Sequence, residues 1–100
     1  MAPLELSGKQ KRYLRGLAHP LKPVVQVGQK GLSEALLKQI NMQLDIHELI
    51  KVKLGQDCPV QKNEASLFLC KETGAAIVQT IGRTLVLYQP REDSPEISLP

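Results

Sequence analysis

Gly28-Gln29-Lys30-Gly31 holds the clearest chemical opportunity in this hundred-residue chain. The tetrad lies between a short β-branched run, Val24, Val25 and Val27, and an amphipathic stretch that begins near Ser33. A strand that turns tightly and leaves as a helix directs unpaired N–H groups outward at the positive end of the helix dipole, where phosphate binds readily. Glycines permit unusual φ angles and the close approach of a ligand's own backbone. Lys30 adds a mobile positive charge, and a loop of this kind clamps nucleic-acid backbone in the KH module. Taken alone, GxxG equally describes a strand–helix turn that needs glycine for its geometry. Two neighbours move the reading toward phosphate: the lysine inside the loop and a run of cations just upstream.

Those cations are Lys9, Lys11, Arg12 and Arg15, on a segment whose pattern predicts a helix over 8–18. A solvated helix face usually mixes signs, yet no Asp or Glu lies between Glu5 and Glu34. Residues 1–31 carry six basic groups against Glu5 alone, whereas the last nine residues hold Glu92, Asp93 and Glu96 and no cation. The overall charge of +3 conceals this polarity. A basic front half suggests a polyanionic partner. An acidic tail folding back over the basic face as a competitor is suggested by charge alone.

Other chemistries are poorly served. The loop lacks the GxGxxG and GxxxxGK[ST] patterns of dinucleotide and nucleoside-triphosphate sites. His19 and His47 stand at the ends of expected helices, with no serine, cysteine or carboxylate spaced to form a triad or metal site. Glu48, next to His47, is expected on the opposite side of a strand, and Ser33 reads as a helix cap rather than a nucleophile. No catalytic residue, cofactor, metal or small-molecule substrate is expected. Tyr13, Phe68 and Tyr88 are the only aromatics. With Tyr13 and Phe68 assigned to the core, no stacking platform for bases remains, so recognition must lean on phosphates, 2′-hydroxyls and shape. Cys58 and Cys70 lack metal or disulfide spacing and are expected reduced, Cys70 near the core. No apolar stretch approaches membrane-spanning length, and MAPLELSGKQK has no signal-peptide core, so a cytoplasmic protein with no membrane partner is expected, with a monomer as the simplest state.

The elements that must position the loop follow from periodicity. Tyr13, Leu14, Leu17 and Ala18 form the apolar side of the first helix, with Lys11, Arg15 and His19 on another side, and Pro20 and Pro23 end it. Leu36, Leu37, Ile40 and Leu44 predict a second helix to about Ile46, capped by Ser33. Ile50, Val52 and Leu54 alternate with Lys51 and Lys53 as in a half-buried strand. Asp57 and Pro59 introduce a helix over about 60–72 that Gly74 stops. AAIVQTI and TLVLYQ are two strands joined by Gly82-Arg83, a two-residue hairpin. The order is α-β-α-β-α-β-β, an α/β domain over 1–90 with three helices and a four-stranded mixed sheet. Parallel pairing is expected within the βαβ units and an antiparallel hairpin at the end. Residues 91–100 read as a loose acidic tail.

Three stretches, SGKQKRYLRGLAHPLKPVVQVGQKGLSEALLKQI, HELIKVK and TGAAIVQTIGRTLVLYQP, together resemble the stand-alone bacterial CRM-domain proteins of the YhbY type. The resemblance spans about residues 4–90. It implies a fold similar to the C-terminal domain of translation initiation factor three, and RNA binding directed at precursors of the large ribosomal subunit. It places the family's loop on Gly28, Gln29, Lys30 and Gly31, its basic first helix on Lys9, Lys11, Arg12 and Arg15, and its last hairpin on Gly82 and Arg83. Arg83 then becomes a contact if the hairpin shares the loop's side. The expected partner is RNA, specifically ribosomal RNA during assembly. The competing reading from charge is an adaptor whose basic face docks an acidic protein.

Overall fold

The computed structural model describes residues 5–100; residues 1–4, the first part of the expected domain, lie outside the described residues. The chain runs α1 (Gly8–Ala18), β1 (Val25–Val27), α2 (Glu34–His47), β2 (Leu49–Leu54), α3 (Lys62–Thr73), β3 (Ala76–Ile81) and β4 (Thr84–Tyr88). Local chemistry sets most of the boundaries. Ser7 and Gln10 form a reciprocal capping box at the start of α1, and the Ser33 hydroxyl accepts from the Leu36 amide at the start of α2. Gly74 closes α3 in the left-handed conformation. Only α3 starts later than expected, at Lys62 behind an uncapped Gln61.

The four strands are ordered β1-β2-β4-β3. β1 and β2 pair in parallel, as expected of a βαβ unit, but the second unit departs from expectation: β4 inserts between β2 and β3 and pairs antiparallel with both. Composition explains the placement. β4, TLVLY, is buried along nearly its whole length, as a central strand covered on both faces must be, whereas β3 carries Gln79 and Thr80 and suits an edge.

Helices cover both faces of the sheet. On one, α2 and α3 pack against Val25, Val27, Ile50, Val52, Leu54, Leu85 and Leu87. On the other, α1 lies alone and seats Leu14 and Ala18 on Leu49, Val78, Val86 and Tyr88. Fully burying such a side chain contributes about 1.5–3 kcal/mol, so the two layers together hold the sheet between them. A lone helix has no neighbour to cover its flanks, and this corrects one expectation. Tyr13, assigned to the core, is 42% exposed, while Tyr88 is the buried aromatic.

The alternation of β2 extends to its lysines. Ile50, Val52 and Leu54 point to the α2–α3 layer, so Lys51 and Lys53 lie on the α1 side, with Lys51 half-buried and Lys53 exposed.

Glu48 is not in a strand at all. It caps α2 with φ 64° and is 1% exposed. Its carboxylate accepts from the amides of Arg91 (2.7 Å), Glu96 (2.8 Å) and Ile97 (2.9 Å). Burial alone pushes this carboxyl up, but the three amides and the Arg91 guanidinium outweigh it and hold the group below the usual carboxylate range. The expected loose tail is therefore fastened. It has no helix or strand, yet Ile97 and Leu99 pack on the α1-side core and Gln10 Nε2 reaches the Pro100 carbonyl at 3.4 Å. Both cysteines are free, and burial pushes the Cys70 thiol up, keeping it protonated.

Candidate nucleic-acid interface

The end of the sheet opposite Glu48 gathers three turns. β1 leads into Gly28–Gly31, β2 ends at Leu54 and leads into Gly55, and β3 turns into β4 at Gly82-Arg83. Backbone bonds join them: the Gly55 amide donates to the Val27 carbonyl at 2.9 Å, and the Leu54 amide donates to the Arg83 carbonyl at 2.7 Å.

The two glycines of the tetrad are glycines for different reasons. Gly31 is buried with φ 63°, and a Cβ there would meet Pro59 Cγ at 3.3 Å and Val60 Cγ2 at 3.4 Å. The fold requires glycine at that position. Gly28 has no left-handed φ, and a Cβ on it would meet nothing within 4 Å. No contact within the fold requires glycine there. Gly28, Gln29 and Lys30 are all exposed.

The supply of free amides is smaller than a bare strand–helix turn suggests. The Gly31 amide is spent on the Gly28 carbonyl (3.0 Å), the Ser33 amide on the Gly31 carbonyl (3.1 Å), and the Leu36 amide on the Ser33 hydroxyl (3.1 Å). Among the described residues, the Gln29 and Lys30 amides at the loop tip have no such partner, nor do those of Leu32, Glu34 and Ala35 at the helix start. Anion affinity at the tip thus falls on two amides, the helix dipole and the Lys30 ammonium.

On α1, helical geometry with Leu14 and Ala18 facing the sheet turns Lys9 and Arg12 outward and sets Lys11 and Arg15 along the flank above β3. All four are exposed. Their ammonium and guanidinium groups make no ion pair, since the one ion pair among the described residues is Arg91 with Glu96, at 3.1 Å. Among the described residues, no tail carboxylate forms an ion pair with an α1 cation.

Arg83 stands at the loop end, but its side chain is already employed. Nε donates to the Leu54 carbonyl at 3.1 Å and Nη2 to the Gly55 carbonyl at 2.8 Å. The Gly55 carbonyl also accepts from the Cys58 amide, and the following Pro59 and Val60 pack against Gly31. Arg83 thereby ties the hairpin to the segment that supports the tetrad. Sequence reasoning missed this clamp because a lone arginine in a turn carries no sign of its acceptors. It also passed over Lys51 and Lys53, although their alternation with Ile50, Val52 and Leu54 already placed both on one face.

The described residues contain no group of three or more His, Cys, Asp or Glu able to hold a metal, and no helix among them is long and apolar enough to cross a membrane.

This arrangement has relatives. The chain is 50% identical over 95 residues to an "RNA-binding protein" of Haemophilus influenzae, covering 95% of each. It is 45% identical to the "Probable RNA-binding protein YqeI" of Bacillus subtilis, covering 95% of this chain and 99% of that one. The solution structure of the hypothetical protein SAV1595 from Staphylococcus aureus superposes with a TM-score of 0.78 at 39% identity, over 96% of this chain and all of the other. The sequence model of the CRS1 / YhbY (CRM) domain matches residues 6–89, and the chain belongs to that family.

Proposed function

We propose that this chain is a non-catalytic RNA-binding protein that grips RNA backbone at the loop end of its sheet and acts on ribosomal RNA during large-subunit assembly. The observation that carries the RNA-backbone reading is Gly28: an exposed glycine that the fold does not need, beside a free ammonium and two unpartnered amides. Close approach of a phosphate supplies the missing reason. The four unpaired α1 cations extend the anionic track, and the names of the Haemophilus and Bacillus relatives support RNA as its occupant. Lys9, Lys11, Arg12, Arg15 and Lys30 supply charge, Gly28 and Gln29 the contact surface, and Gly31 and Arg83 the shape of the loop. The ribosomal target rests on the family resemblance.

Crosslinking in cells, followed by sequencing of the attached RNA and fractionation of ribosomal particles, tests the target. Enrichment of large-subunit RNA in particles lighter than finished subunits is the expected result. Crosslinks mainly to messenger or transfer RNA would overturn the ribosomal assignment, and no direct crosslinks at all would favour a protein-docking role for the basic face.

A further inference from the structure

α1 covers only part of its side of the sheet. Beyond its C-terminal end the sheet surface lies bare, and strand alternation determines what it displays. β1 contributes Gln26 and β2 contributes Lys51 and Lys53, while Thr84 of β4 continues the row. A register shift between Ile77 and Gln79 then brings Gln79 and Ile81 of β3 onto the same side.

A groove of about 350 Å³ runs between this surface and the helix end, lined by Arg15, Gly16, Ala18, His19, Lys51, Gln79 and Ile81. Lys51 Nζ lies 3.4 Å from the His19 carbonyl, so the helix C-terminus holds this ammonium in the groove. Lys53 stands further along the same strand, toward Gly55 and the tetrad, and is exposed. No carboxylate lines the groove. The contrast with the opposite face is sharp, because there every inward position of β1, β2 and β4 is apolar and covered.

We infer that this bare strip, floored by Lys51 and Lys53 and walled by Arg15 and His19, is a second seat for RNA sugar–phosphate backbone that joins the α1 cations to the Gly28–Gly31 loop. The inference rests on the RNA-binding reading above and extends it to residues outside the loop and the helix. Three features select a polyanion as occupant. No carboxylate lines the groove beside its cations, the uncharged Gln79 in the groove and Gln26 and Thr84 in register beside Lys53 suit 2′-hydroxyls and phosphate oxygens, and the strip leads to a loop whose own glycine is open to approach. Ile81, 51% exposed, offers an apolar edge for a ribose or base.

The test is a salt titration of binding to a labelled RNA stem–loop of mixed sequence. It compares wild type, the Lys51→Gln/Lys53→Gln double variant, and a charge-matched control, Lys38→Gln/Lys71→Gln, on the exposed surfaces of α2 and α3. The strip variant should bind roughly tenfold more weakly at moderate salt, with the log–log salt slope reduced by about 2, because each phosphate-bound lysine contributes about one unit. The control should stay within about twofold. Lys53→Gln alone, at an exposed position, repeats the test with half the slope change should loss of the Lys51 contact unsettle the fold. If the strip variants match the control while Lys30→Ala still weakens binding, the strip is overturned and the loop reading stands. If wild type itself fails to bind, both fall.

Discussion

The two ends of the sheet use charge in opposite ways. At the Glu48 end, a carboxylate is buried and saturated by three amides, and Arg91 pairs with Glu96. Charge there is consumed in fastening residues 91–97. At the loop end, Arg83 is bonded to carbonyls, but Lys30 and Lys53 stand exposed without ion-pair partners, and a glycine occupies space that any small side chain could fill. Charge there is held in reserve. Exposed cations are solvated by water wherever they stand, so what distinguishes the loop end, in the reading proposed above, is that its cations lie beside an open glycine.

The largest expected effect comes from breaking the fastened end. Glu48→Ala leaves three amides without their acceptor and removes the one group that rewards a left-handed φ at a non-glycine residue. Each hydrogen bond to a charged group contributes about 1.5–3 kcal/mol, and partial rehydration of the freed tail discounts the sum, so a loss of about 3 kcal/mol is expected. In a domain of this size that lowers the melting temperature by roughly 15 °C. RNA affinity of the folded fraction should be unchanged. The same bonds give a pH signature. Because the folded-state pKa of Glu48 is depressed, its contribution is complete above the ordinary carboxylate value of about 4.3 and disappears as pH falls through the lowered value. The stability gap between wild type and Glu48→Gln, followed by thermal melting, should therefore close in acid and stay constant from pH 6 to 8.

Next in size is the separation of the two glycines. Gly31→Ala should cost roughly 1–2 kcal/mol in a denaturant titration, through its φ and the crowding against Pro59 and Val60. Gly28→Asp should leave stability within about 0.5 kcal/mol yet weaken RNA roughly tenfold, about 1.4 kcal/mol, by adding bulk and negative charge where phosphate approaches. Lys30→Ala is smaller, a few-fold in affinity across all sequences with the salt slope reduced by about 1. The smallest effect belongs to the tail acids. Glu92→Gln/Asp93→Asn should change affinity less than twofold even at low salt, since these groups lie beside Asp45 at the far end of the sheet.

Much of this was legible in the sequence, for identifiable reasons. The seven elements and their order declared themselves through short-range rules: periodicity, the Ser7 and Ser33 caps, and the stops at Pro20 and Gly74. The insertion of β4 between β2 and β3 was missed because strand order is a long-range property. The continuous apolar run of TLVLY against the polar end of AAIVQTI was the one available clue. Tyr13 was misplaced because helical spacing reports a face but not how wide a contact the sheet offers it. At the candidate site, composition and spacing pointed to the loop and the α1 cations, all but the buried Gly31 exposed in the fold. The division of labour between Gly28 and Gly31 and the carbonyl-binding role of Arg83 depend on contacts made across the sheet end, which no local pattern encodes. Glu48 was invisible for the same reason, since the amides that donate to it lie more than forty residues downstream.

The most direct test of the contrast between the two ends is an amide-resolved NMR titration of the full chain with the same RNA stem–loop. The account predicts that shifts concentrate at Gly28–Gly31, along Lys11–His19 and at Lys51–Lys53, while Glu48 and residues 91–97 stay still. Shifts centred on the Glu48 end or on the exposed surfaces of α2 and α3, with a silent loop, would contradict it.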